Sequence, residues 1–148
     1  MKVEAKEVAR RVKAFSEVCR RYEVKVTHQR AEVYRELARR NDHPDAETIY
    51  GRVRSRIPAI SLDTVYRTLR LLEKKGVISR VGSLSERTRF DANTDRHHHF
   101  ICTECGFVGD VYNKEWDAFP TPGDVRAMGR VDSVHVEMRG LCKACQRK

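Results

Sequence analysis

The sequence predicts an α+β chain in two parts: a bundle of helices ending in a basic β-hairpin, then a small α/β domain. Three observations predict it. Four segments before residue 76 carry apolar residues at helical spacing, and two short β-rich runs follow them directly. Beyond Asp91 the texture shifts to β-branched and aromatic residues punctuated by two C-x-x-C pairs. The domain boundary is therefore drawn between residues 90 and 91.

The elements follow in order. Val8, Val12, Phe15 and Cys19 recur at spacings of three and four, which predicts a helix from Val3 to about Tyr22 with Cys19 as a core residue. A second helix follows Thr27, a suitable N-cap, with Val33 and Leu37 on its inner face. "NDHP" breaks it, because Pro44 pushes His43 towards an extended conformation. The third helix, about Asp45 to Arg56, buries Ile49 and Val53 and ends at Pro58. Ser61 caps a fourth, whose stripe is Leu62, Val65, Leu69 and Leu72, and Gly76 stands at its C-terminal end. "VISRV" and "RTRFDA", separated by the turn "GSLSE", read as a hairpin. In the second part, "HHFICTECGFVGDVY" and "DSVHVEMRGLC" read as strands, with one short helix between Pro-broken stretches.

Charge separates the two parts. The 148 residues carry a net +9, but residues 1–90 hold 22 Lys+Arg against 12 Asp+Glu, and residues 91–148 hold 8 against 9. A basic module joined to a neutral one suggests a polyanion partner for the first. Helices followed by a basic hairpin describe a winged helix-turn-helix, whose last helix enters the DNA major groove. Its exposed face would carry Tyr66, Arg67, Arg70 and Lys74. Arg suits guanine edges and phosphates, and Tyr offers a flat face and a hydroxyl. No run approaches the ~18 apolar residues of a membrane span, and the N-terminal stretch lacks the apolar core of a secretory signal, so a cytoplasmic protein is expected.

Cys102, Cys105, Cys142 and Cys145 form C-x2-C-x36-C-x2-C. Two such knuckles fit tetrahedral Zn²⁺, and in a reducing compartment they read as metal ligands rather than disulfides. A structural zinc contributes ~10 kcal/mol or more to folding in small metal-stapled domains. The site would tie the chain end back onto the second domain.

Four sulfurs leave no room for the histidines of "DRHHHF". In an extended segment His97 and His99 share one face and His98 takes the other. Two imidazoles at i, i+2 make half a transition-metal site. Asp91 and Asp110 are candidates to complete it, and a mixed nitrogen and oxygen set suits Fe²⁺ or Mn²⁺. His43 is a further candidate. If it joined, the ion would bridge the two domains and set a DNA-competent pose.

The motifs "VTHQRAEVY", "HPDAETIYGRV", "SLDTVYRTLRLLEKKGVI", "RFD", "HHHFICTECG" and "CKAC" resemble, in order and over nearly the whole chain, those of ferric uptake regulator proteins. The resemblance implies a homodimeric, metal-dependent repressor of operator DNA, with a C-terminal dimerisation domain. It implies structural Zn²⁺ on the four cysteines and regulatory Fe²⁺ or Mn²⁺ on His43, Asp91, His97, His99 and Asp110. Aspartates at 91 and 110, where iron sensors usually have glutamates, are similar to the peroxide-stress branch of the family. There, iron-catalysed oxidation strikes a ligand histidine, carried over here as His43 or His97. Lys25 resembles a position that reaches towards the minor groove. Many relatives carry a further metal site on a His-His-Asp-His run and a late histidine. This chain departs from it, with Arg96 and His98 in the run and Val134 at the late position, beside His135.

Two rival functions differ in what they predict. An iron-level sensor, or more distantly a zinc-level sensor, would use the same ligands without oxidation. A small metal-dependent enzyme would use His97 and His99 catalytically, but the chain has no HExxH motif, P-loop or nucleophile elbow, and the basic first part would go unexplained.

Overall fold

Four helices and a two-stranded wing build the first of two units, Met1–Thr94, and a three-stranded sheet with two short helices builds the second, Asp95–Lys148. The computed structural model describes residues 2–82 and 87–147. The architecture is the α+β winged helix plus small α/β domain that the sequence predicts.

In the first unit α1 spans Ala5–Arg21, α2 His28–Ala38, α3 Ala46–Arg54 and α4 Leu62–Lys74. Three begin at side-chain caps: Thr27 accepts from the Arg30 N–H, Asp45 from Thr48 and Ser61 from Thr64. α1 starts two residues after Val3, because the preceding chain is drawn into a tertiary contact: the Val3 N–H donates to the Arg39 carbonyl at 3.0 Å, and Lys2 bridges Arg40. α1 and α4 end in the same way. Val24 and Val77 donate to Cys19 and Leu72, while Glu23 and Gly76 donate to Arg20 and Glu73. This Schellman closure needs a left-handed residue, supplied by Gly76 at φ 70° and by Glu23 at φ 53°.

The core of this unit gathers Phe15 and Cys19 of α1, Val33, Tyr34 and Leu37 of α2, Ile49 and Val53 of α3, and Val65, Leu69 and Leu72 of α4. Phe15 stacks on Tyr34 with centroids 4.4 Å apart, and the buried Tyr34 hydroxyl donates to the Arg11 carbonyl at 3.0 Å. Leu62 is only half-buried, and Thr68 takes the buried position that completes the α4 stripe. The wing is β1 (Ser79–Val81) paired antiparallel with β2 (Arg89–Asp91), Ser79 opposite Asp91. Asp91, which the change of composition puts at the head of the second domain, thus belongs to the first unit. Residues 83–86 of the expected turn "GSLSE" lie outside the described residues.

In the second unit β3 (His98–Cys102) is central, with β4 (Val108–Val111) antiparallel on one side and β5 (Glu137–Gly140) parallel on the other. A parallel neighbour requires a crossover connection. That connection carries α5 (Lys114–Asp117) and α6 (Gly123–Met128), two helices where the sequence suggested one. Asn113 Oδ1 starts α5 by accepting from the Glu115 and Trp116 N–H groups. The strand expected from Asp132 pairs only from Glu137. The chain closes in a 3-10 turn, Cys145–Arg147.

Candidate metal centres and DNA-reading helix

The cysteine site is assembled by the end of β3, the turn after it and the end of the chain. Gly106, at φ 70°, lets the chain reverse directly after Cys105, and its N–H donates to the Cys102 carbonyl at 2.9 Å. The Cys142 N–H reaches the Cys102 sulfur at 3.3 Å, and the Cys105 and Cys142 sulfurs stand 3.7 Å apart. All four Sγ atoms lie within 4.8 Å of one another, close enough for a single tetrahedral ion. Backbone N–H groups of Cys105 and Cys142 lower the Cys102 thiol to about 6, and the Cys145 N–H lowers that of Cys142. Their neighbours' sulfurs in turn push Cys145 up to about 12. Thiolate is thus favoured at Cys102 and Cys142, where backbone dipoles converge.

At the head of β3, which His97 immediately precedes, the histidines divide as alternation requires. His97 Nε2 and His99 Nε2 are 3.0 Å apart, and Asp110, opposite His99 in the β3–β4 register, places Oδ1 3.7 and 3.8 Å from them. His97 Nδ1 donates to the Asp95 carbonyl at 2.6 Å. In the neutral ring this leaves a lone pair on Nε2, the arrangement in which a ligating histidine is normally held.

In the first unit His43 Nε2 lies 3.3 Å from Asp91 Oδ2, and both residues are buried. His43 is not extended. Its φ is +46°, in the left-handed region, despite Pro44. A residue with a Cβ incurs a penalty of roughly 1–2 kcal/mol there, which tertiary anchors must offset. Arg52 binds Asp42 at 2.8 Å, Arg89 donates to the His43 carbonyl at 3.3 Å, and Phe90 N–H donates to the Pro44 carbonyl at 3.1 Å. Burial works against the charge on Asp45, but bonds from Thr48, with Arg87 beside it, hold its pKa below the usual value. Arg52 and Arg89 escape a reading of the sequence because their partners are 10 and 46 residues away.

His98 faces away from this set. The Val136 N–H donates to its Nδ1 at 3.1 Å, so its neutral ring carries the proton on Nε2, 3.4 Å from Asp117 Oδ1. Trp116 meets the ring edge-on, and Arg96 lies 3.6 Å from the same carboxylate. Arg96 and His98 thus share the Asp117 carboxylate. His135 turns Nδ1 to the His97 carbonyl at 3.4 Å.

The candidate DNA residues lie on the first unit's surface. Arg67, Arg70 and Lys74 of α4 are exposed, and Arg67 is 3.8 Å from Asp63 one turn away, a solvent-screened pair. Tyr66 is half-buried and its hydroxyl donates to Glu47 of α3 at 2.9 Å, which raises its pKa. Lys25 is exposed, in the loop before α2. Among the described residues no helix is long and apolar enough to cross a membrane.

The model of the ferric uptake regulator family matches residues 21–122. A peroxide-responsive repressor, PerR, of Staphylococcus epidermidis is 30% identical over 125 residues, covering 84% of this chain and 83% of that protein. The structure of the Helicobacter pylori ferric uptake regulator, described as having three functional metal binding sites, superposes with a TM-score of 0.75 at 25% identity, over 99% of this chain and 97% of that one. The Campylobacter jejuni peroxide stress regulator superposes with a TM-score of 0.68 at 28% identity, over 88% and 98%.

Proposed function

The chain belongs to the ferric uptake regulator family, and from that premise we propose that it is a metal-dependent DNA-binding repressor released from its operator by hydrogen peroxide. In this reading Cys102, Cys105, Cys142 and Cys145 hold a structural Zn²⁺. His43, Asp91, His97, His99 and Asp110 hold one regulatory Fe²⁺ or Mn²⁺. The observation that carries the reading is this donor set: three imidazoles with aspartates, not glutamates, as the only carboxylates, and His97 already held in the ligating tautomer by Asp95.

Ferrous iron held in this set would activate peroxide by one-electron cleavage of its O–O bond. The chain supplies the target. His43 or His97 is the imidazole that takes up one peroxide oxygen, a ring C–H giving way to C=O with an added N–H while the other oxygen leaves as water, and an oxidised imidazole is a poor ligand. With a ligand lost, the remaining residues would no longer hold the ion, and α4 would release the DNA it contacts through Tyr66, Arg67 and Arg70, with Lys25 at the flanking minor groove. Zinc, closed off by four sulfurs, takes no part. The active species is a homodimer, and exposed apolar side chains on the second unit, Tyr112, Phe119 and Met128 among them, support a self-associating face.

The test is operator binding by Fe²⁺- and Mn²⁺-loaded protein before and after peroxide, with mass spectrometry of the His43 and His97 peptides. The expected result is loss of binding and added oxygen with iron, and neither with manganese. Unmodified peptides and retained binding with iron would leave an iron-level sensor instead.

A further inference from the structure

β2 holds the His43 loop at two points. Arg89 Nη1 donates to the His43 carbonyl at 3.3 Å, and two residues on, Asp91 Oδ2 lies 3.3 Å from the His43 ring. Alternate residues of a strand share a face, so one face of β2 addresses both the backbone and the imidazole of the same residue. Between these contacts the Phe90 N–H donates to the Pro44 carbonyl at 3.1 Å, and Asp45 forms a bridge with Arg89. On the other side Arg52 fixes Asp42 at 2.8 Å.

His43 needs this grip. A left-handed φ of +46° is disfavoured for any residue with a Cβ, and a following proline favours extended backbone instead. Such conformations persist only when the surroundings over-determine them. Of the anchors named here, the Arg89 bond is the one made to the His43 backbone itself.

We propose that Arg89 is a positioning residue for the regulatory metal. It contacts no ion. It holds the His43 peptide in the left-handed conformation that aims the imidazole beside Asp91. The proposal rests on His43 being a ligand, as read above. It makes the wing strand the part of the first unit that sets the sensor's geometry.

The test uses zinc-loaded, full-length protein carrying Arg89→Met, Arg89→Lys or His43→Ala, titrated with Mn²⁺ in the absence of DNA. Backbone NMR of the Mn²⁺-free protein reads the conformation at residue 43 directly. Arg89→Met is expected to weaken Mn²⁺ binding ~10-fold or more, the range for outer-shell partners of ligands. It should also erase the left-handed chemical-shift signature of His43, with other changes confined to residues 42–45. Arg89→Lys, which retains a donor, should recover part of both. The proposal is overturned if Arg89→Met binds Mn²⁺ like the native protein while His43→Ala does not, or if the His43 signature survives the substitution. Weakened DNA binding with unchanged Mn²⁺ affinity would likewise overturn it, leaving Arg89 a phosphate contact. Native Mn²⁺ affinity in His43→Ala would overturn the ligand assignment itself.

Discussion

His97 Nε2 and His99 Nε2 stand 3.0 Å apart at the head of β3, while the His98 ring between them is engaged by Val136 and Asp117 on the opposite side. Three consecutive histidines thus have two different employments. Replacing His97 or His99 by Ala should lower the metal content of anaerobically prepared protein from about two ions per chain to about one, with zinc retained. Replacing His98 by Ala should leave the count unchanged. It should destabilise the second unit by about 0.5–1.5 kcal/mol through loss of the bond from the Val136 N–H. Metal analysis alongside denaturant unfolding separates the two outcomes.

The cysteine site and the only tryptophan lie in the same unit. Replacing Cys142 by Ser, or stripping zinc with a strong chelator, should change Trp116 emission sharply. Far-UV circular dichroism, dominated by α1–α4, should keep most of its helical signal. Simultaneous loss of both signals would show that zinc supports the whole chain.

Alkaline stability should follow Tyr34. Burial, above all, raises its phenol from 10.0 to about 12 in the folded protein. The neutral form is therefore favoured by folding. Its stabilisation is fully present below pH 10.0 and is lost as pH rises towards about 12. Tyr34→Phe should flatten that limb of a denaturant-midpoint profile. Below it, the variant should be less stable by about 0.5–1.5 kcal/mol through loss of the bond to the Arg11 carbonyl.

Glu23 closes α1 in the left-handed conformation that Gly76 provides for α4. Its side chain is exposed. Glu23→Gly should therefore stabilise the protein by roughly 0.5–1 kcal/mol, the relief of a Cβ penalty less the entropy of a freer unfolded chain. A rise in melting temperature without change in DNA or metal binding is the expected reading.

Much of this was legible in the sequence where physics is local. Thr27, Asp45 and Ser61 announce helix starts because a short side-chain oxygen beside its own backbone needs no distant partner. The separation of His98 from its neighbours follows from strand alternation alone. What escaped depends on partners far along the chain. The start of α1 is set by Arg39, the start of β5 by its register with β3, and the conformation of His43 by Arg89. In that last case the local rule, proline after histidine, points the wrong way and loses to tertiary hydrogen bonds. α5 was legible in principle, since Asn113 is a good cap, but Pro120 and Pro122 masked it.

β3 carries His99 near one end, two residues after His97, and Cys102 at the other, and Asp110 lies inside the stretch of chain between Cys105 and Cys142. On the proposed assignment, closing that stretch with zinc removes the chain freedom that would otherwise scatter the sensor's second-unit ligands. Zinc occupancy would then favour binding of the sensing ion by holding Asp110 in place. Copies made without zinc would bind that second ion more weakly at the same iron or manganese concentration.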